Sequence, residues 1–312
     1  MATDHKQAYI ANFNCTFGKK NEPMLTHFFD VILPAFSSET DVRKKFFFEN
    51  VKLLSIRGDF VLAGLIVKRT TLEVKSRIIQ GKLTKTNEIY PSDPYSYFLI
   101  NLQNHRMVLV KNQKGSPTLS NFSKTAFENI NKYIKNNDVV IDENADENDF
   151  GFELNIVAIP FTGKIKEELA KVKKVNTVTL RFYPLNGDII DNETAEDLLN
   201  SLDKIESKSG NLNYNSPKNK DAVVEVVDGT KGLMKPSIKV EYADGSKGNL
   251  NDKSFTEVMN LSVEESDSFE ANIDTILGKV INKPQFNELS DENKSIYNRL
   301  YTKLENFYKK FK

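Results

Sequence analysis

Lys174-Val175-Asn176-Thr177-Val178-Thr179-Leu180-Arg181-Phe182-Tyr183-Pro184-Leu185-Asn186-Gly187 opens the stretch Lys174–Glu206, on which the reading of the fold turns. From Val175 to Tyr183, Val178, Leu180 and Phe182 alternate with Thr177, Thr179, Arg181 and Tyr183. That period puts one face of a strand into a core and leaves the other for water or a partner. Pro184-Leu185-Asn186-Gly187 is turn chemistry. Leu198, Leu199, Leu202 and Ile205 then form one apolar stripe on a helix expected from about Thr194. Strand, tight turn and covering helix predict a small α+β unit.

Composition bounds the rest. A chain of 312 residues, 39% hydrophobic and 28% charged, suits a globular protein with room for two ordinary domains. Forty-three basic residues balance forty-three acidic ones, so nucleic-acid binding would need charge sorted locally. The single cysteine, Cys15, rules out an internal disulfide framework; beside Phe13 and Phe17 it reads as a small core residue. With no signal-like N-terminus and no apolar run of membrane-spanning length, the expected compartment is the cytoplasm.

Outward from the opening stretch, Tyr9–Phe17 alternates as a strand and Glu22–Leu33 has helical spacing. Val51–Arg57 and Phe60–Arg69 form a hairpin across Gly58-Asp59, and Tyr95–Leu102 and Met107–Lys111 another across residues 103–106. Leu72–Lys85 between them is a polar strand or arm. Ser120 or Ser123 is a cap candidate for a helix over Lys124–Ile134. These segments predict an antiparallel sheet with covering helices in a first domain, 1–141. An acidic linker, 142–153, follows; it holds six carboxylates without EF-hand spacing and reads as a solvated turn. The second domain, 154–312, holds a strand at Leu154–Pro160, a helix at Thr162–Leu169, a loop at Ser207–Lys220, strands at Val223–Val227 and Ser237–Tyr242, and helix through most of Phe255–Asn282. A terminal amphipathic helix carries Ile296, Leu300, Leu304, Phe307 and Phe311; with Tyr297, Tyr301 and Tyr308 beside them, its broad aromatic face suits packing against a second copy.

Catalytic patterns are sparse. His5, His27 and His105 lie far apart, without zinc-ligand spacing, and His105 reads as a solvated turn residue. Phosphate-binding glycine loops are missing, which argues against an NTPase or a Rossmann-type dehydrogenase and predicts no small-molecule cofactor or metal. One alternative is a metal-dependent nuclease: Asp59 followed by Glu73-Val74-Lys75 is the ligand order of the restriction-endonuclease-like fold, with two carboxylates on a divalent cation and a lysine at the phosphate.

Basic residues offer more. From Arg57 to Lys85, seven bases stand against the two acids Asp59 and Glu73, among them Lys68, Arg69, Lys75 and Arg77. A second set, Lys231, Lys235, Lys239 and Lys247, surrounds the Ser237–Tyr242 strand, and Lys171, Lys173 and Lys174 precede the opening strand. Charge sorted in this way suits contact with phosphates irrespective of sequence; ordinary solvated surface is the plain alternative. The sheets show no paired exposed rings of the RNA-recognition kind.

The order of the second half carries a resemblance. Leu180-Arg181-Phe182-Tyr183-Pro184 is followed by a helix. After it come Ser237-Ile238-Lys239-Val240-Glu241, the Asp244-Gly245 turn, Ser246-Lys247-Gly248-Asn249-Leu250 and a basic-aromatic terminal helix. With Arg57-Gly58-Asp59 and the hairpin Phe98-Leu99-Ile100-Asn101 to His105-Arg106-Met107-Val108-Leu109, this looks like the DNA-binding subunit of the Rex phage-exclusion system and its bacterial relatives. The resemblance implies a cytoplasmic homodimer that binds double-stranded DNA with little sequence preference in anti-phage defence, with a co-encoded membrane effector downstream. It implies no catalytic residue. Lys239 matches the DNA-facing strand, whereas Glu241 stands where a second base is expected. A sensor that binds a phage protein is the remaining alternative.

Overall fold

The computed structural model of the chain describes residues 4–38, 43–139, 141, 151–186, 193–263, 266 and 268–311. It is an α+β protein built on antiparallel sheets. In chain order the first sheet begins with β1 (Asp4–Phe17) and the short β2 (Glu22–Pro23). The segment expected to be one helix breaks into a 3-10 turn (Met24–His27), a π turn (Phe28–Ile32) and α1 (Leu33–Phe36). Then come β3 (Phe46–Ile56), β4 (Asp59–Lys68), β5 (Thr70–Ile79), β6 (Lys82–Ser92), β7 (Tyr95–Asn101) and β8 (Arg106–Lys111). The first hairpin turns one residue earlier than expected, on Arg57-Gly58, with φ of 55° and 94° at the two positions. That pair of positive φ values is the tight turn whose twist matches the strands on either side. The helix α2 (Leu119–Asn136) starts upstream of the serines, in a capping box between Thr118 and Asn121.

After β9 (Phe152–Ala158) the chain leaves this sheet and builds a second unit: α3 (Thr162–Ala170), β10 (Val172–Phe182), α4 (Glu193–Lys204), β11 (Gly210–Asn215), α5 (Lys220–Asp228), β12 (Lys235–Tyr242), β13 (Lys247–Asn251) and α6 (Asp252–Phe255). It then returns with β14 (Met259–Val263), α7 (Phe269–Val280), α8 (Pro284–Asn287) and α9 (Asp291–Phe311). The large sheet runs β14-β1-β8-β7-β4-β3, with β2 and β9 also on β1. The small one runs β11-β10-β12-β13, and β5 pairs only with β6.

This pairing divides the chain differently from the expected units 1–141 and 154–312. Both β9 and β14 pair with β1, so 162–255 is an insertion between two strands of the first sheet. The expected linker falls mostly on 142–150, outside the described residues. Two further corrections sit in the insertion. The expected loop contains β11, because Asn211 and Asn213 alternate with Leu212 on the edge of β10. The valine run Val223–Val227 is helix α5, started by the Asn219 side chain accepting from the Ala222 N–H.

Both faces of the large sheet are covered. Phe13, Cys15 and Phe17 of β1 meet Phe28, Phe36, Phe122 and Ile130 on one side. Ala8 and Ile10 meet Ile273, Ile276, Leu277 and Phe286 on the other. Cys15 is fully buried, and burial pushes its thiol pKa up, which fits a core residue. Much of the aromatic face of α9 is used within its own chain: Tyr297 and Leu304 are buried, the Phe307 ring packs tilted against Phe29 with centroids 5.0 Å apart, and the Tyr297 hydroxyl accepts from the Phe60 N–H. Part of that face therefore packs inside the chain, while Tyr301 remains exposed on it.

Two buried junctions join the insertion to the first sheet. At one, Asn14 Nδ2 donates to Pro184 O at 2.9 Å, the Asn186 N–H donates to Asn14 Oδ1 at 2.7 Å, and Asn186 Oδ1 accepts from the Met24 N–H at 2.6 Å. At the other, Arg106 reaches Lys231 O at 3.1 Å and Glu288 Oε2 at 3.2 Å. Beside Arg106 lies His105, which is 1% exposed with neither ring nitrogen hydrogen-bonded, the reverse of the expected solvated turn residue. The loop folds inward because Asn104 Nδ2 is drawn to Phe286 O.

Asn186→Ala removes the side-chain acceptor of the buried Met24 N–H and is expected to destabilise the chain by about 1–3 kcal/mol in urea unfolding. Burial, followed by the charge of Arg106, lowers the His105 pKa from 6.5 to about 3. The unfolded chain then binds this proton first, so stability is full above about pH 6.5 and falls as the pH drops toward 3. Urea midpoints at pH 7.5 and 5 should differ more for the wild type than for His105→Asn.

Candidate nucleic-acid interface

The small sheet has one closed and one open face. Val178, Leu180, Phe182, Ile238, Val240 and Leu250 point into its core, under α3 and α5. Register then fixes the open face row by row. Arg181 lies between Asn211 and Lys235; Thr179 between Asn213 and Ser237, with Asn251 beyond; Thr177 between Asn215 and Lys239, with Asn249 beyond. Glu241 lies between Lys174 and Lys247 in the last row. All of these side chains are exposed or half-buried.

The hydrogen bonds within the face set its chemistry. The Thr179 hydroxyl donates to Asn213 Oδ1 at 2.7 Å and the Ser237 hydroxyl to Asn249 Oδ1 at 2.9 Å. With the amide oxygens occupied, each asparagine offers its NH2 outward as a donor. Ammonium, guanidinium and amide donors together match the acceptor oxygens of a phosphate. Glu241, the one acid in these rows, faces Lys173 at 3.5 Å and has Lys174 and Lys247 as cross-strand neighbours. Its charge is thus offset locally, and the face remains basic.

Three of the four lysines grouped in the sequence share this face, where Lys235, Lys239 and Lys247 are exposed. Lys231 does not join them. It sits at the second junction with φ of 50°, its ammonium 2.6 Å from Glu288 Oε1 and its carbonyl on Arg106. Arg181 and the asparagine rows were missed. The alternation of Asn211, Asn213 and Asn215 around Leu212 was the signal for the rows, hidden by the loop-like composition of that segment.

The second basic set lies on a separate element. Lys68 closes β4 and Arg69 stacks over the Phe47 ring at 4.9 Å, at the base of the β5–β6 ribbon. Lys75 and Arg77 lie along the ribbon, 3.8 Å from Glu73 and 3.1 Å from Glu88 respectively. The nuclease set is not assembled. Asp59 begins β4, a strand of ten residues or about 30 Å of extended chain, and Glu73 and Lys75 lie past its far end. Asp59 is half-buried, which raises its pKa, and it accepts from Asn101 Nδ2 at 3.4 Å. Among the described residues no cluster of three acidic, histidine or cysteine side chains can hold a metal. Nor is any described helix long and apolar enough to cross a membrane.

No protein-family model matches the chain, and no curated protein sequence is significantly similar to it.

Supercoiled plasmid incubated with magnesium or manganese is expected to stay intact. Nicking that Glu73→Ala abolishes would reinstate the metal-dependent alternative.

Proposed function

We propose that the chain binds double-stranded DNA through its backbone phosphates, with little sequence preference. The observation that carries this reading is the open face of β11-β10-β12-β13. It bears Arg181, Lys235, Lys239 and Lys247 among amide and hydroxyl donors on a chain of zero formal net charge. Three interstrand gaps make such a face about 14 Å across, wide enough to meet several phosphates together. It presents no aromatic ring in these rows for a splayed base to stack on, which favours a duplex backbone over single strands. The likeness to the Rex subunit supplies the biological setting: a homodimer in anti-phage exclusion, working in the cytoplasm with a co-encoded membrane effector.

Fluorescence anisotropy on duplexes of unrelated sequence, titrated over salt, tests the reading. Each phosphate-contacting lysine removed should lower the slope of log K against log salt by about 0.9. Lys235→Ala with Lys239→Ala should therefore weaken binding to all duplexes alike and flatten the slope by nearly two, while Lys231→Gln leaves the slope unchanged. Absence of duplex binding even at low salt, with a phage protein co-purifying instead, would move the assignment to a protein-binding sensor.

A further inference from the structure

The β5–β6 ribbon stands apart from both cores. Each strand is about ten residues long, or about 33 Å, and pairs with nothing but the other. A two-stranded ribbon in water is marginal by itself and would be expected to show polar side chains. This one does the opposite. Of the twelve large hydrophobic side chains exposed among the described residues, Leu72, Ile78, Ile79, Leu83, Ile89 and Tyr90 all belong to it. Ile78 and Leu83 are 73% and 76% exposed and directly opposite each other, one pair back from the tip. The Gln80-Gly81 turn behind them is tight, with φ of 49° and 77°. Such a concentration marks a surface that meets a partner.

Charge narrows the partner. Between Val74 and Asn87 the ribbon carries Lys75, Arg77, Lys82 and Lys85 and no acid. Lys82 and Lys85 have no acidic partner within ion-pair reach among the described residues, so the tip is free to neutralise an anion. Docking tip to tip with a second copy would oppose like charges. An anionic bilayer would need its aliphatic groups confined to the tip, yet Leu72, Ile89 and Tyr90 lie back along the stem. A duplex minor groove accounts for the basic charge and for the apolar pair at the tip. Its phosphate rims receive the bases, and proteins that enter it drive apolar side chains between base pairs and kink the helix. Ribbons that read the major groove instead carry polar side chains toward the base edges.

We infer that the β5–β6 ribbon is an arm that enters the minor groove of duplex DNA, with Ile78 and Leu83 as a wedge that unstacks a base step and bends the helix. The inference rests on the DNA-binding reading above and adds a second contact to it, separate from the open sheet face.

The test uses the full-length chain and a duplex of about 30 base pairs labelled at both ends. Binding is read by anisotropy and bending by energy transfer between the labels. The wild type should bring the ends closer. Ile78→Ser with Leu83→Ser should abolish that change while affinity falls by less than about tenfold, and Lys82→Ala with Lys85→Ala should lower the salt slope by nearly two. These positions are exposed, so thermal melts of the variants should match the wild type. Lys235→Ala with Lys239→Ala, by contrast, should lose affinity but still bend whatever DNA is bound at saturation. Binding by the wild type with no bend, and with a salt slope indifferent to Lys82 and Lys85, overturns the arm and leaves the sheet face standing. No binding at all overturns both. Two further outcomes reassign the ribbon: vesicle capture by phosphatidylserine that depends on Ile78 and Leu83, or a dimer that dissociates in the serine variant as read by light scattering.

Discussion

One strand has to satisfy two incompatible environments, and the rest of the chain is arranged around that. Along β1, odd positions from Ala11 to Phe17 enter one apolar core, while Ala8 and Ile10 enter another on the opposite face. Beyond Ile10 the even positions become Asn12, Asn14 and Thr16, all buried. A buried asparagine without a partner costs about 1–3 kcal/mol, so this half of the strand demands polar company. The turn after β10 supplies it to Asn14, through Pro184 O and the Asn186 N–H, while the Asn186 side chain ties the same turn to Met24. The small unit is therefore located by hydrogen bonds of fixed direction as well as by apolar contact, and that orients its open face relative to the first sheet.

The large features of the fold were legible because hydrophobic period survives any tertiary arrangement. β12 and the second half of β10 alternate, while β4, β7 and β8 are near-continuous apolar runs buried on both faces. What escaped was governed by partners far away in sequence. The β14 segment reads as helix locally and becomes a strand because β1 offers it an edge. The valines of α5 favour a strand, but Asn219 caps a helix and Val223, Val224 and Val227 share the core-facing stripe. His105 looked solvated because hairpin loops usually are; here α8 and the turn at Lys231 close over it. Of the candidate interface, the lysines on β12 could be placed because strand period fixes their face. Lys231 could not, since its neighbour in space is Glu288, 57 residues away.

Sorting of charge in this chain is local and largely internal to single elements. Several acids pair with bases of other elements: Asp274 with Arg57, Glu270 with Lys52, and Glu288 with Arg106 and Lys231. The neutral total thus conceals two surfaces on which bases outnumber acids.

That arrangement has a consequence for how a polyanion is met. A protein of high net positive charge is drawn to DNA from a distance, but here the far field cancels. What remains acts within about one Debye length, roughly 8 Å at physiological salt. Attraction then begins only once a basic surface already lies near the phosphates, so encounter is governed by diffusion and retention by the number of contacts made. Glu241 sharpens this by lowering the potential at the rim of the face while leaving the donors of Lys239, Arg181 and the asparagines in place. Were both proposed surfaces to contact DNA, duplexes long enough to engage both would be favoured over short fragments, because the second contact would form at the effective concentration set by the first.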